Sequence, residues 1–100
     1  MARLCVVGTG HVGLVYGVAF ALAGHDVHCT DVDSRIVENL KRGRPSFFEP
    51  GLEDALLKAQ RSGRIAFSTD TTASVQDSDV VFLCVPTPSH PNGSIDLSYV

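Results

Sequence analysis

The sequence predicts an α/β fold in which a parallel sheet of about four strands carries helices on both faces. Short apolar runs of strand length alternate along the chain with longer stretches of helical period, as in repeated strand-helix-strand units. This alternation implies parallel strands joined by right-handed crossovers. With 100 residues and 44% apolar content, the chain can bury one core, so we expect a single domain.

The first strand-helix-strand unit occupies the N-terminal third of the chain. Leu4 to Val7 is a continuous apolar run, typical of a strand buried on both faces. Val12 to Ala23 follows a helical pattern, and Gly24 supplies its stop before a second strand from Val27 to Val32. Small residues on one side of this helix are expected to let it approach the sheet: Gly13, Gly17, Ala19 and Ala21.

Two further helices precede the third strand. Ser34 can cap a helix that ends at Gly43, because the apolar positions between them follow the 3.6-residue period. Arg44 to Gly51 is a loop with two prolines, and Leu52 to Ser62 is an amphipathic helix. The third strand is predicted over Ile65 to Ser68.

The last part of the chain carries a strand and a proline-rich loop. Thr69 to Ser78 is polar and allows one or two helical turns around Ala73 to Gln76. Val80 to Val85 is the fourth strand, and prolines then prevent regular structure until another helix starts at Leu97. We expect the strand order 3-2-1-4 and a chain that is truncated after about four strands, because a complete domain of this kind has two such halves.

A glycine-rich turn joins the first strand to the first helix. Gly8 permits a tight exit from the strand, Gly10 lets a phosphate approach the backbone, and Gly13 allows the helix to pack closely on the strand. The bare motif also occurs in ordinary flexible turns, but its position between a strand and a helix favours a phosphate at the helix N-terminus. A dinucleotide site in a Rossmann-type fold is therefore predicted at Gly8, Thr9, Gly10, His11, Val12 and Gly13.

An aspartate at the end of the second predicted strand indicates which dinucleotide binds. Asp31 can accept hydrogen bonds from both hydroxyls of the adenosine ribose, and its charge would repel the 2′-phosphate of NADP. NAD is therefore the expected cofactor. Asp31 could instead cap the turn that follows it, but Asp33 and Ser34 are available for that role.

Charge and residue distribution argue against several other classes of protein. A net charge of −3 with scattered Lys and Arg offers no basic surface for nucleic acid or an anionic membrane. The N-terminal apolar run superficially resembles a secretory signal peptide, but the three glycines of the turn interrupt it, and no run has the roughly 18 residues of a membrane span. The four histidines are dispersed, so we expect no metal site.

The cysteines and one loop glutamate are expected to have structural roles. Cys5, Cys29 and Cys84 lie far apart in apolar stretches, so we expect reduced cytosolic thiols whose burial raises the pKa and makes them poor nucleophiles. Glu49 is expected to cap the helix that begins at Leu52 rather than to act as a general base. No residue of this chain is assigned a catalytic role.

Three more stretches resemble the UDP-glucose/GDP-mannose dehydrogenase family. They follow the glycine turn in the same order and spacing as in the family. The stretches are Phe47-Phe48-Glu49-Pro50-Gly51-Leu52, Val85-Pro86-Thr87-Pro88-Ser89 and Asn92-Gly93-Ser94-Ile95-Asp96-Leu97-Ser98-Tyr99-Val100. The resemblance covers essentially the whole chain. It implies a cytoplasmic enzyme that oxidises the C6 hydroxymethyl group of a nucleotide sugar to a carboxylate in two NAD-dependent steps.

The same resemblance implies that cofactor binding and catalysis belong to different parts of the parent enzyme. Residues 1–100 correspond to the N-terminal portion of the NAD-binding domain, and the central helix and C-terminal nucleotide-sugar domain are absent. Those parts would bind most of the nucleotide-sugar substrate and supply the nucleophilic cysteine together with the catalytic Lys and Asp. This chain alone is therefore expected to be inactive, and the parent enzyme is expected to be a homo-oligomer.

The resemblance also implies cofactor contacts beyond the glycine turn. The loop after the fourth strand runs beneath the cofactor in such families, which implies contacts from Val85, Pro86, Thr87 and Pro88, with Thr87 as the hydrogen-bonding residue. A rigid turn would also explain the prolines. Family members often have Lys or Arg five residues after the ribose-binding Asp, where this chain has Ile36. Arg35 is the candidate here, with a solvated helix face as its alternative.

The sequence allows more than one substrate sugar and two rival functions. The loop that contains Pro86 is similar to that of enzymes that act on N-acetylated UDP-sugars. The segment from Gly93 to Val100 is instead similar to that of enzymes that act on UDP-glucose. One rival is the NAD-binding domain of a dehydrogenase of small hydroxy acids or acyl-CoA esters, against which the E-P-G-L and T-P-S stretches argue. The other is a non-enzymatic dinucleotide-sensing domain.

Overall fold

The computed structural model describes residues 2–84, which form a four-stranded parallel sheet with helices between the strands. In chain order the elements are β1 (Arg3–Val7), α1 (His11–Leu22), β2 (Asp26–Thr30), α2 (Ser34–Lys41), α3 (Leu52–Arg61), β3 (Ile65–Ser68), α4 (Thr71–Gln76) and β4 (Val80–Leu83). The strand order is β3-β2-β1-β4 and every neighbouring pair is parallel, which confirms the predicted topology.

Alternating side chains divide the sheet into two faces, and helices cover both. Leu4 and Val6 of β1 face the side on which α1, α2 and α3 close the hydrophobic core. Cys5 faces the opposite side, where its thiol lies near the hydroxyl of Ser78, just after α4. On that same side Thr71 of α4 donates to the hydroxyl of Thr30 at 3.1 Å.

The approach of α1 to the sheet depends on its small residues. A Cβ on Gly17 would lie 2.8 Å from the Sγ of Cys29, so only a hydrogen fits there. Ala21 is buried as predicted, but Ala19 is exposed, and the larger residues Leu14 and Val18 complete the buried stripe. The prediction for Ala19 was wrong because each residue turns the helix by about 100°, which places position 19 outside that stripe.

The second strand ends two residues earlier than predicted. β2 stops at Thr30, and Val32, the expected last residue, is 89% exposed. The chain turns at this point because the Asp31 carboxylate accepts a hydrogen bond from the backbone N–H of Asp33 at 2.9 Å. Apolar content alone favoured a longer strand, whereas the local hydrogen bond of Asp31 ends it.

The N-cap of α2 is also one residue from the predicted one. Asp33 caps the helix, because its Oδ1 accepts a hydrogen bond from the backbone N–H of Arg35 at 2.9 Å. Ser34, the predicted cap, is the first residue of the helix. Aspartate and serine are nearly equivalent caps, so residue preference could not decide between neighbours.

The remaining helices and strands begin and end within one or two residues of their predicted bounds. β3 has the predicted bounds, and α4 provides the expected short helix between β3 and β4. The predictions for Val85 and for the loop and helix start after it lie outside the described residues. Within residues 2–84, no helix is long and apolar enough to cross a membrane.

Candidate functional site

The glycine turn lies at the carboxyl edge of the sheet, between the ends of β1 and β2. Val7 pairs with Thr30 in the parallel register, and the next residue, Gly8, donates its N–H to the Thr30 carbonyl at 2.8 Å. Gly8 then takes φ +98°, a conformation that residues with a Cβ rarely adopt. The turn is therefore anchored to β2 before α1 begins.

Gly13 brings the first turn of α1 against the end of β1. A Cβ at this position would overlap the carbonyl oxygen of Gly8 and come within 3.1 Å of the Cβ of Cys84. Both neighbours lie at the ends of sheet strands, and the Gly8 oxygen belongs to the backbone and cannot rotate away. The glycine therefore determines how closely helix and sheet pack, as its position in the motif predicts.

Gly10 has the opposite environment. It is the N-cap of α1, with no side-chain capping bond, and within residues 2–84 no heavy atom outside its own stretch of backbone lies within 4 Å of where its Cβ would be. The first turn of α1 also contains no acidic residue. Open space beside bare backbone at the positive end of a helix dipole fits a phosphate group, which supports the choice of this turn as a dinucleotide cradle.

Asp31 lies next to this cradle and is bound to it. Its Oδ2 accepts hydrogen bonds from both the backbone N–H and the hydroxyl of Thr9, each at 2.9 Å, while Oδ1 accepts from the backbone N–H of Asp33. Partial burial raises the pKa of Asp31, but the hydrogen bonds from Asp33 and Thr9 outweigh it and hold the pKa below its usual value. The carboxylate is therefore charged at neutral pH.

Asp31→Asn is expected to remove a pH-dependent part of the chain's stability. Because the folded pKa of Asp31 lies below its unfolded value of about 3.9, its stabilisation is complete above that pH and is lost as pH falls through the folded pKa. Urea denaturation at a series of pH values should show the wild-type chain losing more free energy of unfolding than the variant as pH falls from about 5 to about 2. Equal losses would contradict this assignment.

His11 and Glu49 form a contact that the sequence did not reveal. The Nε2 of His11, at the start of α1, lies 3.1 Å from the Oε2 of Glu49, and the His11 ring meets Phe47 edge to face at 4.8 Å. Glu49 was predicted to cap α3, which was wrong: the N-cap is Gly51, in the left-handed region with φ +81°, and has no side-chain capping bond. The loop before α3 instead extends to the glycine turn.

The other predicted contact residues are placed as follows. Val12 is 56% exposed beside the turn. Arg35 points into solvent with a side chain 91% exposed, its Nε 3.9 Å from the Asp33 carboxylate, so its contact with a ribose stays a prediction. Val85, Pro86, Thr87 and Pro88 lie outside the described residues.

Cys5 and Cys29 are buried in strands as predicted, whereas Cys84 is only partly buried and lies just after β4. Burial raises the pKa of Cys5 and Cys84, and it raises that of Cys29 to about 12. Cys29 lies under Gly17 of α1 and is fully buried. Thiols in this state are poor nucleophiles. Across residues 2–84, no group of three or more His, Cys, Asp or Glu side chains could hold a metal ion.

A family model and the curated relatives identify the family of this chain. The model of the UDP-glucose/GDP-mannose dehydrogenase family, NAD binding domain, matches residues 2–100. Among curated proteins, a UDP-glucose 6-dehydrogenase from Rhizobium meliloti is 46% identical over 99 residues, which cover 98% of this chain and 23% of that protein. The chain spans about a fifth of the length of the curated relatives it matches.

Solved structures give the same result. A UDP-glucose dehydrogenase from Pyrobaculum islandicum matches with a TM-score of 0.95 and 49% identity, over 99% of this chain and 23% of that one. A ternary complex of GDP-mannose dehydrogenase from Pseudomonas aeruginosa matches with a TM-score of 0.92 and 40% identity, over 97% of this chain and 22% of that one.

Proposed function

Since this chain belongs to the UDP-glucose/GDP-mannose dehydrogenase family and matches its NAD-binding domain, we propose that it holds NAD for a nucleotide-sugar 6-dehydrogenase. The observation that carries the proposal is the open backbone at Gly10, at the N-terminus of α1 and beside the charged Asp31. A pyrophosphate and an adenosine ribose need these two features next to each other.

Each part of the site has a role in this proposal. Because the N–H groups of Gly8 and Thr9 are bonded to Thr30 and Asp31, those from Gly10 to Gly13 are the ones that would face the pyrophosphate, and Gly10 leaves room for its oxygens. Asp31 accepts hydrogen bonds from the adenosine ribose and keeps a negative charge where NADP carries its 2′-phosphate. The chemistry that NAD supplies is acceptance of hydride from the alcohol carbon of the substrate. Thr87 and its neighbours on the loop from Val85 to Pro88 are proposed as further cofactor contacts.

The substrate and the assembly are further parts of the proposal. We infer a nucleotide sugar as substrate, because the matched relatives are named UDP-glucose and GDP-mannose dehydrogenases. In our proposal the groups that carry out the chemistry and bind most of the sugar nucleotide lie outside this chain, in a cytoplasmic homo-oligomer. The free cysteines, of which Cys5 and Cys29 are buried and Cys84 is partly buried, suit a reducing compartment.

Titration of the chain with NAD and with NADP tests the cofactor assignment. NAD should bind more tightly by about 100-fold, because the 2′-phosphate brings negative charge next to Asp31 in a partly desolvated site. Isothermal titration calorimetry measures both affinities under one set of conditions. Equal affinities would contradict the role given to Asp31, and failure of both dinucleotides to bind a chain that is folded by circular dichroism would contradict the proposed function itself.

A further inference from the structure

The hydroxyl of Thr9 is a polar group that the glycine motif does not require. Thr9 occupies a variable position of the motif, yet it is only 1% exposed. Its hydroxyl donates to the Oδ2 of Asp31 at 2.9 Å, and its backbone N–H donates to the same oxygen at 2.9 Å. The buried hydroxyl therefore joins the phosphate-binding turn to the carboxylate at the end of the neighbouring strand.

These bonds determine which part of the carboxylate is free. A carboxylate oxygen accepts about two hydrogen bonds, so Thr9 fills the capacity of Oδ2. The Oδ1 oxygen accepts from the backbone N–H of Asp33, and the backbone N–H of Val32 also lies close to the carboxylate. At most one acceptor position is left, so Asp31 can receive one ribose hydroxyl rather than the two that the sequence predicted. Thr9 and Asp33 together hold both oxygens of Asp31, one from each side, so the carboxylate cannot rotate without breaking hydrogen bonds.

We propose that Thr9 is a positioning residue that sets the preference for NAD over NADP by holding the Asp31 carboxylate in a single, charged orientation. The proposal rests on the proposed function, because it assumes that Asp31 receives the adenosine ribose. Thr9 itself does not need to touch the cofactor through its side chain. Its hydroxyl acts through Asp31, and its burial keeps it away from solvent.

The hydroxyl should affect the two dinucleotides differently. With NAD, a fixed carboxylate presents its free acceptor to the ribose without losing conformational freedom on binding. With NADP, the same fixed charge opposes the 2′-phosphate and cannot turn away from it. Loss of the hydroxyl should therefore weaken NAD binding and leave NADP binding nearly unchanged, so that the preference decreases.

Thr9→Val tests this proposal, with Thr9→Ser as the matched control. Valine keeps the volume and the backbone N–H but removes the hydroxyl, whereas serine keeps the hydroxyl. In the full chain, Thr9→Val is expected to weaken NAD binding about 10-fold and NADP binding less than about 2-fold. Thr9→Ser should remain within about 2-fold of wild type for both dinucleotides. If Thr9→Val does not fold, Thr9→Ala is compared with Thr9→Ser in the same way.

The pH dependence of NAD binding separates positioning from a merely structural role. The Thr9 hydroxyl helps to lower the pKa of Asp31, so its removal should move the acid limb of NAD binding to higher pH, and serine should restore it. A structural defect would lower affinity equally at every pH. In the Asp31→Asn background, Thr9→Val should produce no further loss of NAD affinity.

The outcomes distinguish this proposal from the one on which it rests. The positioning role is overturned if wild type prefers NAD and Thr9→Val keeps the same affinities and the same acid limb of the pH profile. The proposed function would then still stand. Equal losses for NAD and NADP overturn the positioning role as well. Wild-type chain that is folded but binds neither dinucleotide overturns both.

Discussion

Replacing Gly13 with alanine is expected to lower the free energy of unfolding by about 3 kcal/mol, a large part of a small domain's stability. The added Cβ would overlap the carbonyl oxygen of Gly8 and crowd Cys84, which lies just after β4. Relief requires α1 to move away from the sheet, and this separates Leu14 and Val18 from the core. Urea denaturation followed by circular dichroism measures the loss.

Gly10→Ala is the matched control for that experiment, because it adds the same methyl group three residues earlier. The backbone at Gly10 has φ −70°, which alanine adopts freely, and in the described part of the chain the new Cβ meets no atom within 4 Å beyond the adjoining backbone. Alanine is a weaker N-cap than glycine, so a loss of no more than about 1 kcal/mol is expected. Similar losses for the two variants would show that α1 does not depend on close packing at Gly13.

The same Gly10→Ala variant should lose NAD binding while it keeps its fold. Its methyl group would project into the open space where we place the pyrophosphate, and the phosphate oxygens could no longer approach the backbone of the turn. We expect NAD affinity to fall by about 100-fold, equivalent to about 2.7 kcal/mol. Calorimetric titration gives the affinity, and circular dichroism on the same sample confirms the fold.

A second glycine-to-alanine variant at an open position shows whether the effect is local. Gly24 lies at the far end of α1, and among residues 2–84 only its adjoining backbone lies within 4 Å of its Cβ position. Its φ of +103° nevertheless costs an alanine some stability. Gly24→Ala should therefore be less stable than Gly10→Ala yet bind NAD normally. NAD affinity that is unchanged in Gly10→Ala would place the pyrophosphate elsewhere.

Most of the fold could be predicted because it depends on local patterns. The apolar runs of β1 and β4, the helical period of α3 and the stop at Gly63 each appear within about ten residues of sequence. Right-handed crossovers then leave few ways to order the strands. The errors occurred where two local signals compete, as at Val32, where apolar content favours a strand and Asp31 turns the chain.

Fewer of the side-chain contacts in the site could be predicted from local sequence patterns. The glycine motif and Asp31 predicted which segments meet at the carboxyl edge of the sheet, since adjacent parallel strands end side by side. The bond between Thr9 and Asp31 and the contact between His11 and Glu49 join segments separated by 22 and 38 residues. A motif describes spacing along the chain, and such bonds depend on distance and side-chain rotamer.

The sequence by itself determined the strand order, the glycine turn and the charge at Asp31, because periodicity, glycine conformation and the handedness of crossovers act over short stretches of chain. Only the tertiary structure decided how these parts are used. It showed that Gly13 has no room while Gly10 is open, that Glu49 meets His11 rather than capping α3, and that Asp31 is held by Thr9. Packing and hydrogen bonding across the sheet edge involve atoms from distant segments, and their distances exist only in the folded chain.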